Sequence, residues 1–362
     1  MGCDFLVIGA GIAGASAGFH LAAYGQVTVL EMEAVAGYHA TGRSAALFSE
    51  YYGGPVVRAL TAASRPFLTA PPAGFADHPL LTPRGVLALC PAGADDAFEE
   101  ALSQGRTAPV PAREIDVSEA LTHCPVLRPG WYRRAMLKPG AQDIDVDALH
   151  QGFLRGIRAA GGQVVRSARV RSLERDGGRW RARTEAGTFT ASTVVNAAGA
   201  WADEVAGLAG VAPLGLVPLR RTAFLVDGAD GHDVRGWPMV TDVTDTFYIK
   251  PESGRLLVSP CDATPVAPGD ARPDDLDVAR GIDRVEEATT LTIRHVRRAW
   301  AGLRTSAADD VPVVGAAPGR PDFLWFAGFG GYGVQTAPAA GRLLAAIATG
   351  VGPDPVLDGS GL

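Results

Sequence analysis

The stretch Phe5-Leu-Val-Ile-Gly9-Ala-Gly11-Ile-Ala-Gly14-Ala-Ser16 decides the fold. Phe5 to Ile8 is an unbroken apolar run, which reads as a strand covered on both faces, and Gly9 stops it abruptly. Small residues from Ile12 to about Tyr24 predict a helix that can lie close to a sheet, and Val27-Thr-Val-Leu30 predicts the next strand. The order is β-α-β. In that setting the three glycines have separate tasks: Gly9 makes the tight turn, Gly11 lets backbone N–H groups approach a pyrophosphate, and Gly14 lets helix and strand pack closely. Glu31 follows the second strand, where a carboxylate can accept from ribose hydroxyls. The unit predicts a dinucleotide site, equally suited at this point to NAD or FAD; the bland alternative is a glycine-rich turn between packed elements.

Phe5 to Leu30 holds no charged side chain, yet it is read neither as a leader nor as a membrane span. No basic segment precedes it, and it carries five glycines, His20 and Gln26. No lipidation signal is expected either. The whole chain has 362 residues, 47% hydrophobic and 20% charged, with a formal net charge of -6. That balance describes a folded chain too long for one core and too acidic to offer nucleic acid a basic field. Cys3, Cys90, Cys124 and Cys261 form no CxxC pair, and the histidines show no ligand spacing. Reduced thiols, a cytoplasmic location and no metal are therefore expected. Only Lys138 and Lys250 are lysines, so nearly all positive charge is arginine, suited to gripping carboxylates or phosphates.

Texture along the chain predicts an α/β protein: a Rossmann-like nucleotide domain from residues 1–80, 141–214 and 300–362, and a discontinuous α+β substrate domain from 81–140 and 215–299. The first takes a helix near Val146 to Ala160, strands near Gln163 to Arg166 and Thr193 to Asn196, and the closing stretch Phe323 to Gly350. The second shows alternating strands such as Thr222 to Val226 and Thr246 to Lys250, on an antiparallel or mixed sheet.

Two further segments bear on which dinucleotide is bound. Arg43 and Ser44 follow Thr41-Gly42 and precede Ala45-Ala46, a pattern that places a cation, a hydroxyl and a helix N-terminus near phosphate oxygens. The alternative for Arg43 is a solvated surface residue. Far downstream, Gly328-Phe-Gly-Gly-Tyr-Gly333 opens a helix from Val334 to Thr349. Its N–H groups and dipole suit the anionic edge of a reduced flavin, which a simple nicotinamide domain does not require.

These residues, with Leu60-Thr-Ala-Ala-Ser64, Val195-Asn-Ala-Ala-Gly-Ala-Trp201, Glu286 to Arg294 and Trp300-Ala-Gly-Leu-Arg304, resemble the D-amino-acid oxidase superfamily of FAD oxidoreductases over nearly the whole chain. Within it the nearest likeness is to bacterial FAD-dependent D-arginine dehydrogenases. The resemblance implies non-covalent FAD held by Gly9, Gly11, Ala13, Gly14, Glu31 and Met32. It adds Thr41, Gly42, Arg43, Ser44, Ala45 and Ala46, then Val170, then Gly330, Gly331, Tyr332, Gly333, Val334 and Gln335. It maps substrate contacts onto Tyr52 in a mobile loop, Arg221, Tyr248, Arg304 and the backbone of Gly331, with Arg220 a rival for Arg221. Partners of buried acids, or core aromatics, are the plainer readings of these side chains.

The departures direct the substrate expectation. Val86 stands where D-arginine dehydrogenases carry the acid for a guanidinium, and Leu47 replaces a histidine, with Phe48 next to it. An apolar side-chain pocket is expected, with Glu50 either a replacement acid or a solvated one. The resemblance thus implies hydride transfer from Cα of a D-amino acid to flavin N5, favouring neutral side chains, with the imino acid hydrolysing to a 2-keto acid and ammonia. The alternatives are oxidation of a secondary amine such as sarcosine or a cyclic imino acid, and a non-catalytic FAD-binding subunit. The sequence names no electron acceptor.

Overall fold

A computed structural model describes residues 2–352. The opening run becomes the strand Gly2–Ile8, paired in parallel with Val27–Leu30 on one side and Gly187–Asn196 on the other. Its side chains are buried on both faces: Phe5 and Val7 join one core, Leu6 and Ile8 another. Gln163–Val165 extends the parallel sheet past Val27–Leu30, and Arg320–Ala327 adds a strand against Val194 to Asn196. Antiparallel strands Val170–Asp176, Arg179–Thr184 and Val313–Ala317 complete it, giving eight strands among the described residues.

Helix Ile12–Leu21 packs on this sheet between Val146–Ala159 and Gly333–Thr349. The small residues predicted there allow close approach. Ser16 Oγ donates to the Ala337 carbonyl at 2.6 Å, and a β-carbon on Gly341 would lie 2.2 Å from Ser16 Oγ.

The second large sheet is mixed. Its order runs Thr264–Pro265, Val217–Val226, Arg255–Ser259, Tyr248–Glu252, Met239–Asp242, Val86–Pro91, Tyr132–Lys138 and Arg113–Ile115, with Val296–Ser306 also paired to Val217–Val226. Val296–Ser306 crosses the limit expected at residue 300, because its ladder with Val217–Val226 continues to Ser306. Likewise Leu81–Pro83 and Leu47–Phe48 join Gln142–Ile144 in a small three-stranded sheet. Residues 353–362 of the expected last segment lie outside the described residues. Among the described residues no helix is long and apolar enough to cross a membrane. All four cysteines are free thiols.

The architecture is the expected α/β class. Its two sheets meet where the parallel strands end and the mixed sheet presents Arg221, Tyr248 and Arg304.

Candidate active site

One long cavity runs from the Gly9 turn to the mixed sheet, and two helix N-termini open on it. The first is that of Ile12–Leu21. Gly9 has φ +104, and a β-carbon there would sit 2.4 Å from the Ala197 carbonyl oxygen. At Gly14 a β-carbon would meet the Gly9 oxygen at 1.8 Å, so turn and helix are in direct contact. Beside Gly11, by contrast, the nearest atom is Thr41 Oγ1 at 3.3 Å, leaving a cradle that any side chain would fill. The helix has neither a side-chain cap nor an acid in its first turn. Ile12 N–H donates to Thr41 Oγ1 at 2.9 Å, which leaves Ala13 and Gly14 N–H without an intrahelical acceptor at the positive end of the dipole.

The loop that carries these donors is held from below. Ala10 N–H donates to Glu31 Oε2 at 2.8 Å, and Glu33 N–H to Oε1 at 2.9 Å, while burial raises the Glu31 carboxyl above its usual range. His150 is buried, and burial lowers its pKa. Its Nε2 lies 2.8 Å from the Ala10 carbonyl, and since a carbonyl only accepts, Nε2 carries the proton. Glu31, Met32, Ala13 and Val170 border the cavity with Gly9 and Gly11.

At the other end, Gly330, Gly331, Gly333 and Val334 border the same space. Helix Gly333–Thr349 also begins without a side-chain cap or an acidic residue. Two uncapped helix ends along one cleft offer donors for a pyrophosphate and for an anionic ring, which is what FAD presents. The residues present therefore fit a flavin dinucleotide.

The mixed sheet supplies the third wall. Arg221, Tyr248 and Arg304 line it, and Gly331 lies directly against the Arg304 guanidinium. Alternation along Val217–Val226 puts Arg220 and Arg221 on opposite faces. Arg220 Nη2 donates to Asp277 at 2.7 Å, with Asp262 and Asp274 each 3.6 Å from the guanidinium. Arg221 turns the other way, and its buried Nε and Nη1 have no hydrogen-bond partner. Opposite Arg221 on the neighbouring strand is Gly302, and Arg304 follows two residues on, facing the same way. Tyr248 is buried, and burial pushes its phenol up to about 12, so it remains a donor at neutral pH. Tyr52 is exposed; its hydroxyl accepts from Arg304 Nη1 at 3.4 Å, and its ring lies 4.9 Å from that of Tyr332.

Several expected positions stand elsewhere. Thr41–Arg43 is one 3-10 turn and no helix follows, because Ala45 and Ala46 run into the short Leu47–Phe48 strand. Arg43 borders the cavity, but its guanidinium is committed to the carbonyls of Ala271 and Ala301, each at 2.9 Å, and to Asp270. Ser44 and Ala45 border the cavity; Gly42, Ala46, Gly14, Tyr332 and Gln335 do not. The Gln335 side chain is buried, accepting from Ser49 N–H and donating to Thr61 Oγ1.

The expected side-chain pocket is not part of this cavity. Phe48 is wholly buried beneath the Arg65 guanidinium, 4.7 Å from its ring centre. Glu50 is neither a free acid nor solvated: it is buried and takes both nitrogens of an Arg65 fork. Val86 packs in a core with Tyr51 and Met136, and Leu47 lies against the same core. Strand pairing and an ion pair between separated segments consume these four positions, and neither is visible in a local pattern.

Sequence reading also passed over Asp245 and His150. A lone histidine on a helix and an aspartate in a Thr-Asp-Thr turn carry no signal until the fold sets them against Ala10 and Arg221.

Comparison with known proteins gives this arrangement its context. A family model described as DAO, FAD dependent oxidoreductase, matches residues 4–347. Glycine oxidase of Pseudomonas aeruginosa is 28% identical over 370 residues, spanning 98% of this chain and 96% of that protein. The crystal structure of glycine oxidase from Geobacillus kaustophilus superposes with a TM-score of 0.85 at 24% identity, covering 97% of this chain and 96% of the other. That of iminodiacetate oxidase from Chelativorans sp. BNC1 gives 0.82 at 25%, with the same two coverages.

Proposed function

The chain belongs to the DAO family of FAD dependent oxidoreductases, and from that premise we propose that it oxidises the carbon–nitrogen bond of glycine or of an N-substituted glycine such as sarcosine. FAD is the cofactor, and the enzyme acts on amino compounds. The observation that carries the finer reading is the pair of buried Arg221 nitrogens, Nε and Nη1, that lack a hydrogen-bond partner beside Arg304 and Tyr248. A guanidinium kept from water without an acceptor is costly unless a ligand supplies one, and a carboxylate matches its fork.

In this reading Arg221 and Arg304 hold the substrate carboxylate, with the Tyr248 hydroxyl donating to it. Tyr52, exposed above Arg304, closes the carboxylate end. The backbone of Gly331, beside the Arg304 guanidinium, receives the amine, so that carboxylate and amine are both held and the carbon that joins them is fixed in the cavity. FAD, when bound, takes up the two electrons as the C–N single bond becomes C=N. Water then hydrolyses the imine to an oxo acid and ammonia, or a primary amine when nitrogen was substituted. Tyr248 keeps its proton at neutral pH, so it orients the substrate and takes no proton from it.

The choice of a small substrate rests on two points. Of the walls that would favour a larger D-amino acid, Phe48 and Val86 are buried in cores and Leu47 lies against one, and none of the three borders the cavity. The likeness to glycine oxidases extends over nearly the full chain. A preference for neutral D-amino acids, and the particular likeness to D-arginine dehydrogenases, lack that support. Product analysis tests the proposal: glycine should yield glyoxylate and ammonia, and sarcosine glyoxylate and methylamine. Formation of 2-keto acids from D-leucine or D-methionine in preference to glyoxylate from glycine would refute it.

A further inference from the structure

Arg220 and Arg221 are neighbours in sequence with opposite electrostatic settings. Arg220 is flanked by three carboxylates, one at 2.7 Å. Arg221 has one, Asp245, whose Oδ2 stands 3.9 Å from Nη1, too far for a hydrogen bond. The Asp245 side chain is half exposed.

The distance is set by the backbone. Asp245 adopts φ +53, and Cys261, whose thiol lies 3.4 Å from Asp245 Oδ1, adopts φ +55. Non-glycine residues enter this region rarely and persist there when their surroundings over-determine them. Here the turn is pinned by the buried Asp242, which accepts from Thr246 N–H at 2.7 Å and from Thr244 Oγ1 at 3.0 Å. Asp245 is thus fixed at the edge of the arginine site, near enough to act on Arg221 and too far to seal it.

We propose that Asp245 is a stand-off counter-ion of Arg221, which keeps the guanidinium aimed in the empty site and competes with the incoming carboxylate for it. It sets carboxylate affinity without touching the carbon that reacts. The inference rests on the reading of Arg221 as a carboxylate anchor. With the Asp245 carboxylate half exposed and no hydrogen bond between the two groups, the pair is worth at most about 1 kcal/mol, so its removal should alter carboxylate affinity about two- to fivefold. A carboxylate one methylene longer would reach Arg221 and hold it.

The test uses the FAD-loaded protein and acetate, a carboxylate that cannot be oxidised, followed through the shift in the flavin absorption spectrum. Asp245→Asn should bind acetate two- to fivefold more tightly, since asparagine tolerates the same backbone conformation. Asp245→Glu should bind it about tenfold more weakly. Weaker or unchanged binding in Asp245→Asn, or a shift of both variants in one direction as a merely structural role would give, overturns the proposal. Because acetate binding needs no turnover, an enzyme that fails to oxidise glycine yet shows these opposite shifts would refute the functional reading and leave the counter-ion in place.

Discussion

The guanidinium of Arg304 lies against the backbone of Gly331: a β-carbon built on Gly331 would stand 2.9 Å from Arg304 Cζ and 3.0 Å from Nη1. The glycine loop and the mixed sheet therefore touch at the point where substrate is held. Gly331→Ala should displace the guanidinium and lower kcat/KM at least tenfold while FAD stays bound. Arg304→Ala should lose about 1.5–3 kcal/mol of transition-state binding, read as kcat/KM for glycine or sarcosine.

Arg220 and Arg221 should separate stability from activity. Arg220→Met leaves Asp262 without its cation and buried Asp277 with only the more distant Arg280, and urea unfolding should show a loss of about 1–3 kcal/mol. Arg221→Met removes a charge that has no bonded partner, so unfolding should change little while kcat/KM falls at least tenfold. Equal loss of stability in both variants would mean that Arg221 is structural.

Gly14→Ala should abolish FAD retention. The added carbon would lie 1.8 Å from the Gly9 oxygen, so the helix must move from the turn whose N–H groups face the cavity. Overpacking of this kind costs about 1–3 kcal/mol. Wild-type protein should be yellow as purified and should release free FAD on heat denaturation, since the Gly328 to Gly333 loop holds no histidine or cysteine for a covalent link. The variant should be colourless.

The pattern of what the sequence made legible follows from the range of each interaction. The β-α-β unit is written in adjacent residues: an apolar run, three glycines and a terminal acid act within one turn of chain. Arg304 and Tyr248 stood out through family likeness, and alternation along one strand then separates Arg221 from Arg220. Glu50 is not legible as a paired acid because its partner, Arg65, lies on the next helix and is set there by packing. Phe48 and Val86 failed as pocket walls for a related reason. Apolar residues near a site look alike in sequence whether they face the substrate or a core, and only the pairing of the small sheet decides. Asp245 acquires meaning only when its hairpin turn is set beside Arg221 on a different strand and Cys261 on a later connection.

His150 gives a pH dependence. Its folded pKa is lowered by burial from 6.5, so the unfolded chain binds the proton more readily. Its contribution to stability is complete above about pH 6.5 and is lost as pH falls through the lowered folded value. Unfolding midpoints should therefore drop between pH 7 and 5. His150→Leu should flatten that slope and weaken FAD binding severalfold, because the Ala10 carbonyl loses its donor. A slope unchanged by the substitution would assign the acid sensitivity to other groups.

The most direct measurement is anaerobic mixing of the yellow protein with single amines, recording the flavin absorbance. Glycine and sarcosine should bleach it, D-leucine and D-arginine should do so at least tenfold more slowly, and methylamine, which has no carboxylate for Arg221 and Arg304, should leave it unchanged. Fastest bleaching by D-arginine or D-leucine, or bleaching by methylamine as rapid as by glycine, would contradict the account.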